Sequence, residues 1–491
     1  MRFLFSLLFL GFSGMVFGQA NQYTFNENCR LAYQAFMAGK IMEGKRLTQV
    51  ERGTNPNNLI PILLDNYADY VSLSFNENPV VFEQRESLQS ERLSRLEKGN
   101  KQSPYHLLCR ALIHLQWSMI RAKNGDKWNA AWDFRRSYLL LLENKKRFPD
   151  FEETDIFLGA SEAIISTIPS GYKWISELLG LRGDMRIGMQ RLNKQVLTRK
   201  SPFAEEANLY YIFLKHYLEN DIHGAQAYIQ LLHLDVKNNW LNCFIAANLA
   251  INHKDAATAE QLLNNRTRSA EYMAFPMLDY ELGDAKLKRL DYTCVVDFSR
   301  YLQNTHSKFY IKDAWLSIAY AAYLQNNMAE VKRCFERIKR EGSLEADADQ
   351  EALRIAEAGV LPDKDLLRAR LLNDGGYNEE ALRILQARPL SSFKPGNDQI
   401  EYIYRLARIH DELLDTTEAI EFYILTLQQA EQTKAYYPAR AALQLGYIFE
   451  ARRKNDTALV YFNRVLALKG HDYKNSLDQK AKAAINRIKN K

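Results

Sequence analysis

Apolar residues recur at three- and four-residue spacing along almost the whole chain, and the strict alternation of a half-buried strand is hard to find. Tyr105–Ala122, Trp128–Glu143, Ala204–Glu219 and Ala439–Arg452 each place greasy side chains on one face of a helix. Short polar breaks separate such segments: Gly99–Pro104, Lys123–Asp126, Asn252–Asp255, and Arg388–Asp398 with its two prolines. The pattern predicts helix, short turn, helix throughout. A content of 22 Gly and 12 Pro in 491 residues is too low for a many-turned β protein and agrees with an all-α chain.

The helical segments also repeat. In the C-terminal part, Gly446 (after Leu445) is followed twelve positions on by Ala458 and four more on by Phe462. The same offsets join Ala407, Ala419 and Tyr423, then Ala369, Ala381 and Leu385, with Gly375-Gly376-Tyr377 at the turn between the helices. Further upstream they join Ala319, Val331 and Phe335, preceded by Trp315. Leu282, Cys294 and Phe298 make a weaker unit, Ala247, Ala259 and Leu263 a good one, and Phe213, Ala225 and Ile229 one that lacks the first small residue. From Ala225 to Ala458 the second-helix small positions are 34, 35, 37, 50, 38 and 39 residues apart, so the later units predict lengthened helices or loops. A helical hairpin needs a small residue on each helix where the two cross closely, and a large one a turn later to fill the space behind.

These trios resemble the tetratricopeptide repeat over roughly residues 200–470. The resemblance implies a right-handed superhelical array of antiparallel helix hairpins (a tetratricopeptide-like α-solenoid), closed by a capping helix over Ser476–Asn490 whose charged outer face ends the stack. The N-terminal third is helical and less repetitive, with a hairpin from Asn28–Lys40 and Glu43–Arg52 that ends at Gly53–Pro56. Cys109–Leu139 carries CRALIHLQWSMI, then Trp128 and RRSYLL; Ser166–Leu192 carries a serine and proline ahead of Leu178-Leu179-Gly180 and then Gly183-Asp184. This segment resembles the eukaryotic inclusion-body-clearance family and its tetratricopeptide relatives, with Leu181 where an aromatic residue is usual. That resemblance implies a fold and brings no catalytic residues with it. The expected organisation is a leader over 1–20, an N-terminal helical domain over 21–199, repeats over 200–360, and C-terminal repeats with the capping helix over 361–491.

The first twenty residues change the picture of where the protein works. Arg2 precedes an apolar stretch from Phe3 to Phe17, and Gly18 and Ala20 supply small residues at −3 and −1. This reads as a secretory signal peptide cleaved after Ala20 or after Gly18. No cysteine stands at the cleavage point for lipid attachment, and no later apolar stretch is long and uncharged enough to span. Export to a periplasm or to the outside, in a Gram-negative bacterium, is the expectation.

Composition adds exclusions. With 47% hydrophobic and 25% charged residues the chain is neither disordered nor collagen-like. A net charge of +6 over the whole chain gives no field that argues for nucleic acid. The clusters Lys145–Arg147, Arg452–Lys454 and the tail from Lys480 are flanked by apolar residues at helical spacing and read as solvated faces. The five cysteines, Cys29, Cys109, Cys243, Cys294 and Cys334, have wide irregular gaps and an odd count, so buried free thiols are expected rather than a disulfide framework.

Candidate chemistry is sparse. The chain has no phosphate-binding loop, no GxGxxG after a strand, no HExxH, no GxSxG and no EF-hand loop. Nine histidines are scattered, with His106 and His114 on one helix and His216, His223 and His233 over two helices and a turn; no metal set forms from their spacing. Arg182-Gly183-Asp184 matches an adhesion tripeptide, but it lies at a helix–helix turn where glycine has a backbone role. Asn265–Thr267 and Asn455–Thr457 are glycosylation sequons only in a host that uses them. Glu152-Glu153 and Glu379-Glu380 sit at helix starts, where the macrodipole favours them. No cofactor, metal or catalytic residue is expected, and no enzyme.

What remains is surface. In the repeat frame, the wall built from the first helix of each unit carries Tyr404, Arg408 and Asp411, then Arg440, Tyr447 and Glu450, with Tyr320 and Tyr323 from the Trp315 unit. Tyrosine and arginine dominate binding hot spots. The expected function is an exported, non-enzymatic scaffold that holds a protein or peptide partner in a concave groove. The alternative is an extracytoplasmic binder of glycans or small molecules, which the 27 Tyr, 6 Trp and 24 Phe would serve by stacking.

Overall fold

The computed structural model describes residues 21–166, 180–198, 200–217, 222–429 and 433–489. Among these, the chain is helical from Glu27 to Lys489, with one 3-10 turn and a single isolated parallel bridge between Gln22 and Asn58. The all-α array of antiparallel hairpins read from the sequence is what forms. The leader reading and residues 167–179 of the Ser166–Leu192 resemblance lie outside the described residues.

The chain groups into two units. The first holds the described residues up to Ser74, Pro79–Leu214 and Ser269–Met273; the second holds Phe75–Asn78, Lys215–Arg268 and Ala274 onwards. Most of helix Ala204–Tyr217 belongs to the first unit because Glu206 hydrogen-bonds there to Tyr33 and Tyr67. Across residue 360, helix Lys364–Gly375 packs back onto helix Met277–Lys288 and forward onto helix Asn397–Glu412.

Six of the seven trios are buried where the frame puts them. Ala247, Ala259 and Leu263, Ala319 and Val331, Ala369, Ala381 and Leu385, Ala407, Ala419 and Tyr423, and Ala458 and Phe462 are all within 1% of full burial. Gly446 shows why the crossing needs a small residue: an added Cβ would stand 2.4 Å from the Phe462 ring. In the Leu282 unit the small crossing residue is one place later, at Gly283, where a Cβ would press on the Phe298 ring at 3.0 Å. Phe213, in the trio without a small residue, is 49% exposed.

The turns follow the same clock. Seven residues after the first small residue of a unit, the chain enters the left-handed region: Lys254, Asn326, Gly376, Leu414 and Arg453 all have positive φ. Capping side chains then start the second helix, as Asp255 accepts from the Thr258 N–H at 3.0 Å and Asn327 from the Glu330 N–H at 3.1 Å. By this test the N-terminal third repeats more than its sequence suggested. Ala32, Gly44 and Thr48 keep the offsets, with Gly39 at φ +86, and Ser118, Ala130 and Phe134 keep them with Gly125 at φ +83.

The 50-residue interval between Val331 and Ala381 is neither a long helix nor a long loop. It holds one extra helix, Asp347–Ala358, which packs against helix Ile311–Leu324. The insertion lets the Gly376 turn meet the Lys254 turn so closely that a Cβ on Gly376 would lie 2.0 Å from the Lys254 carbonyl oxygen. Only glycine fits, for that reason and for its φ of +89. Polar residues of the first helices are thereby drawn together inside the second unit. Lys254 reaches Glu412 at 2.8 Å and Asn373 at 3.3 Å, and Lys288 reaches Asp284 at 2.7 Å.

All five cysteines are buried and free. Burial pushes each thiol up, Cys243 to about 11 and Cys29, Cys294 and Cys334 to about 12, so none is a ready thiolate. The Arg182-Gly183-Asp184 turn has a packing explanation: a Cβ on Gly183 would stand 2.3 Å from the Glu162 carbonyl oxygen.

Candidate functional site

Four helices of the second unit enclose a cavity of about 270 Å³. Helix Lys364–Gly375 supplies Asp374, helix Asn397–Glu412 supplies Tyr404, Arg405 and Arg408, and helix Tyr437–Ala451 supplies Arg440 with Tyr436 at its N-cap. The closing helix Lys474–Lys489 and the residue before it add Tyr473, Ser476 and Leu477. Three of these helices are first helices of their hairpins, so the cavity opens on the wall that the repeat frame singled out. A second hollow of about 450 Å³ shares Tyr473 and Ser476 with it and is lined further on by Asp347, Glu351 and Asp472 beside Arg354 and Lys474.

Helical spacing sets the positive lining. Glu401, Arg405 and Arg408 follow one another at steps of four and three on one helix face, so each arginine can be held by its own helix. Arg405 donates to Glu401 at 3.0 Å and to the Tyr436 hydroxyl at 3.3 Å, and its guanidinium lies 5.4 Å from the Tyr404 ring centroid. Arg408 donates to Glu412 at 3.2 Å, but Glu412 also serves Lys254. Asp374 faces a crowd of cations. Burial acts to raise its carboxyl, and Arg405, Lys254, Lys288 and Arg370 outweigh that and hold it below the usual range.

Arg440 has no ion-pair partner among the described residues, and the same holds for Lys480 on the closing helix. Lys480 is exposed, yet its ammonium sits below the ordinary lysine range, through desolvation first and then through the charges of Arg440 and Arg408.

Of the eight wall residues read from the sequence, the cavity gathers Tyr404, Arg408 and Arg440. Tyr404 and Arg408 are largely buried, at 3% and 8% exposure, so they present edges rather than whole side chains. The other five lie elsewhere in the unit. Tyr320 is buried with Arg370 over its ring at 5.2 Å, and Tyr323 donates to the Pro362 carbonyl at 3.0 Å with Lys364 over its ring. Asp411 accepts from Tyr423 at 2.9 Å, Tyr447 packs edge-on to Phe462, and Glu450 is held by Arg487 at 2.6 Å and 2.7 Å. Sequence spacing missed Arg405, although its i+4 relation to Glu401 was visible, and it missed Lys480, whose place depends on how the closing helix docks.

Elsewhere the polar clusters are internal. His114 pairs with Asp133 at 2.8 Å beside Arg121, and His106 meets the Tyr23 hydroxyl at 3.2 Å. Among the described residues no group of three or more His, Cys, Asp or Glu could hold a metal ion, and no helix is long and apolar enough to cross a membrane.

No family model matches this chain. No curated protein matches it either. Among solved structures, the crystal structure of the APC/C hetero-tetramer Cut9-Hcn1 is similar at 12% identity and a TM-score of 0.25, covering 94% of this chain and 95% of that one. The hairpin array itself rests on the packing of this chain's own helices.

Proposed function

We propose that this protein is an exported, non-enzymatic scaffold that holds a protein partner against the first-helix wall of its second unit. The observation that carries the reading is the cavity between three wall helices and the closing helix, where arginine and tyrosine, the residue types of binding hot spots, converge. Its lining offers hydrogen-bond donors and ring faces around one shielded carboxylate. A reaction needs a nucleophile with its base, or an acid poised against a base. Asp374 is instead fixed as an anion by the cations around it, and the cysteines are buried as thiols. The leader over residues 1–20 supports export, to a periplasm or beyond.

The test is capture of a stoichiometric partner by the tagged mature protein from its host, with crosslinking, followed by the same capture with R440E. Recovery of a partner that is lost with R440E supports the reading. Recovery of none from wild type overturns it.

A further inference from the structure

We propose that the cavity around Arg408 and Arg440 binds the phosphate group of a small molecule, a site that goes beyond the scaffold reading and does not depend on it. The donors in the lining outnumber what the protein uses. Arg440 makes no side-chain hydrogen bond or ion pair among the described residues, and the hydroxyls of Tyr404, Tyr473 and Ser476 have no hydrogen-bond partner there either. Tyr404 matters most: the residue is 3% exposed, so folding has taken it out of bulk water without supplying a partner for its hydroxyl. The Arg408 side chain, 10% exposed, spends one N–H on Glu412 and keeps the rest of its guanidinium donors. Tyr436 accepts from Arg405, which leaves its own O–H to donate.

Against these donors the described lining sets one carboxylate, Asp374. Burial acts against its charge, but Arg405, Lys254, Lys288 and Arg370 outweigh that, so the carboxylate is already met. A recess whose unspent groups are donors, two of them guanidiniums, is complementary to a ligand that is negative and rich in acceptors. Phosphate suits it better than carboxylate. A carboxylate lies in one plane and answers a single facing guanidinium, whereas phosphate oxygens accept from several sides at once. Here the donors come from three helices: Tyr404 and Arg408 from one, Arg440 from the next, Ser476 from the closing helix. Size and surroundings confine the ligand. A volume of about 270 Å³ takes a small molecule and not a folded surface. The adjoining hollow carries Asp347, Glu351 and Asp472, with Arg354 paired to Glu351 and Lys474 to Asp478, so it repels a second negative charge. The phosphate therefore belongs at the arginine end, with the Tyr473 ring and Leu477 as the wall left for a compact body.

The test is calorimetric titration of the purified mature protein, with no partner present, by phenyl phosphate, inorganic phosphate, benzoate and phenol. Both phosphates are expected to bind at least about tenfold more tightly than benzoate, and phenol not to bind. Phenyl phosphate tighter than inorganic phosphate supports an ester as the source, and the reverse order supports the free ion. Arg440→Gln should weaken phosphate binding by about tenfold. Tyr404→Phe should weaken it by about fivefold; this variant keeps the ring that packs on Tyr436 and Tyr437 and removes only the hydroxyl, so the fold is not threatened. Lys339→Gln, which removes a positive charge from an exposed helix face of the same unit, should leave binding unchanged. An equal loss in Lys339→Gln would mean attraction to net charge and would overturn the proposal, as would phosphate binding that ignores both Arg440 and Tyr404. Benzoate binding as tight as phenyl phosphate would overturn the phosphate assignment. Absence of binding by either phosphate would sink this inference and leave the scaffold reading in place, since capture from the host decides that one.

Discussion

Each unit of this protein hides a polar cluster among its helices, and the two differ in whether their charges are answered. In the first unit the Glu206 carboxylate, 2% exposed, accepts from the hydroxyls of Tyr67, Tyr210 and Tyr33, the latter two at 2.9 Å and 3.5 Å. Its own N–H donates to the Tyr33 hydroxyl at 3.2 Å. The rings of Tyr33 and Tyr67 pack against Phe203, which in turn meets Phe25 and Phe157, so the cluster is sealed. In the second unit, Arg440 lines a solvent-connected cavity and has no ion-pair partner among the described residues. A buried charge whose donors all point at it holds helices in register. A recess with charge to spare calls for something from outside. Polar residues inside a helical array are therefore not one class, and counting partners separates the architectural from the available.

The largest effect that sharpens this contrast is Tyr67→Ala. Tyr67 is fully buried and supplies both ring packing and a donor to Glu206, so its loss should cost about 3–5 kcal/mol. Chemical unfolding followed by circular dichroism measures it. A loss below about 1 kcal/mol would show that the cluster does not hold the unit together.

Glu206→Gln tests the same cluster from the charge side. Burial raises the Glu206 carboxyl from 4.5 to about 7, with the three tyrosines pulling it back. The folded state therefore holds the proton more tightly than the unfolded chain. Wild-type stability is greatest below the unfolded value and falls as pH rises through about 7, by roughly 3 kcal/mol. The glutamine variant escapes that fall. At pH 8 it should melt higher than wild type, and the gap should narrow at pH 5. The same gap at both values would mean that Glu206 does not titrate in this range.

How much of this was legible beforehand varies with the distance over which each feature is set. The hairpin frame is local, and Ala407, Ala419 and Tyr423 show it because a small residue at a crossing and a large one behind it are demanded by contact between adjacent helices. The Ala32–Gly44–Thr48 unit escaped because its third position is polar; Thr48 satisfies its hydroxyl by donating to the Gly44 carbonyl at 2.8 Å. The inserted helix Asp347–Ala358 showed only as an irregular interval, since spacing records that chain was added and not how it folds. Tyr404, Arg408 and Arg440 were within reach of helical periodicity. Which of their neighbours would be neutralised was not, because Lys254 and Lys480 arrive from distant parts of the chain through tertiary packing.

Gly446→Ala probes whether the cavity depends on that local frame. The added methyl would stand 2.4 Å from the Phe462 ring, so the hairpin must open or the ring must leave its place, at a cost of about 1–3 kcal/mol. Arg440 is carried by the same helix. Recovery of the captured partner should fall along with stability, whereas the pH response expected of Glu206 should persist. Lost stability with undiminished partner recovery would mean that the binding wall does not rely on this crossing.

The smallest effect concerns Glu450, one of the wall residues the sequence proposed. Arg487 grips its carboxylate with two hydrogen bonds at 2.6 Å and 2.7 Å, but the arginine side chain is 40% exposed and water screens the pair. Glu450→Gln should therefore cost under about 1 kcal/mol. Its charge is already spent on Arg487 and it does not line the cavity, so partner recovery should stay within about twofold of wild type at moderate salt. A marked change in partner recovery would show that Glu450 meets the partner and that the site reaches beyond Arg440 along the wall. The line between answered and available charge in this unit would then have to be drawn past Arg487.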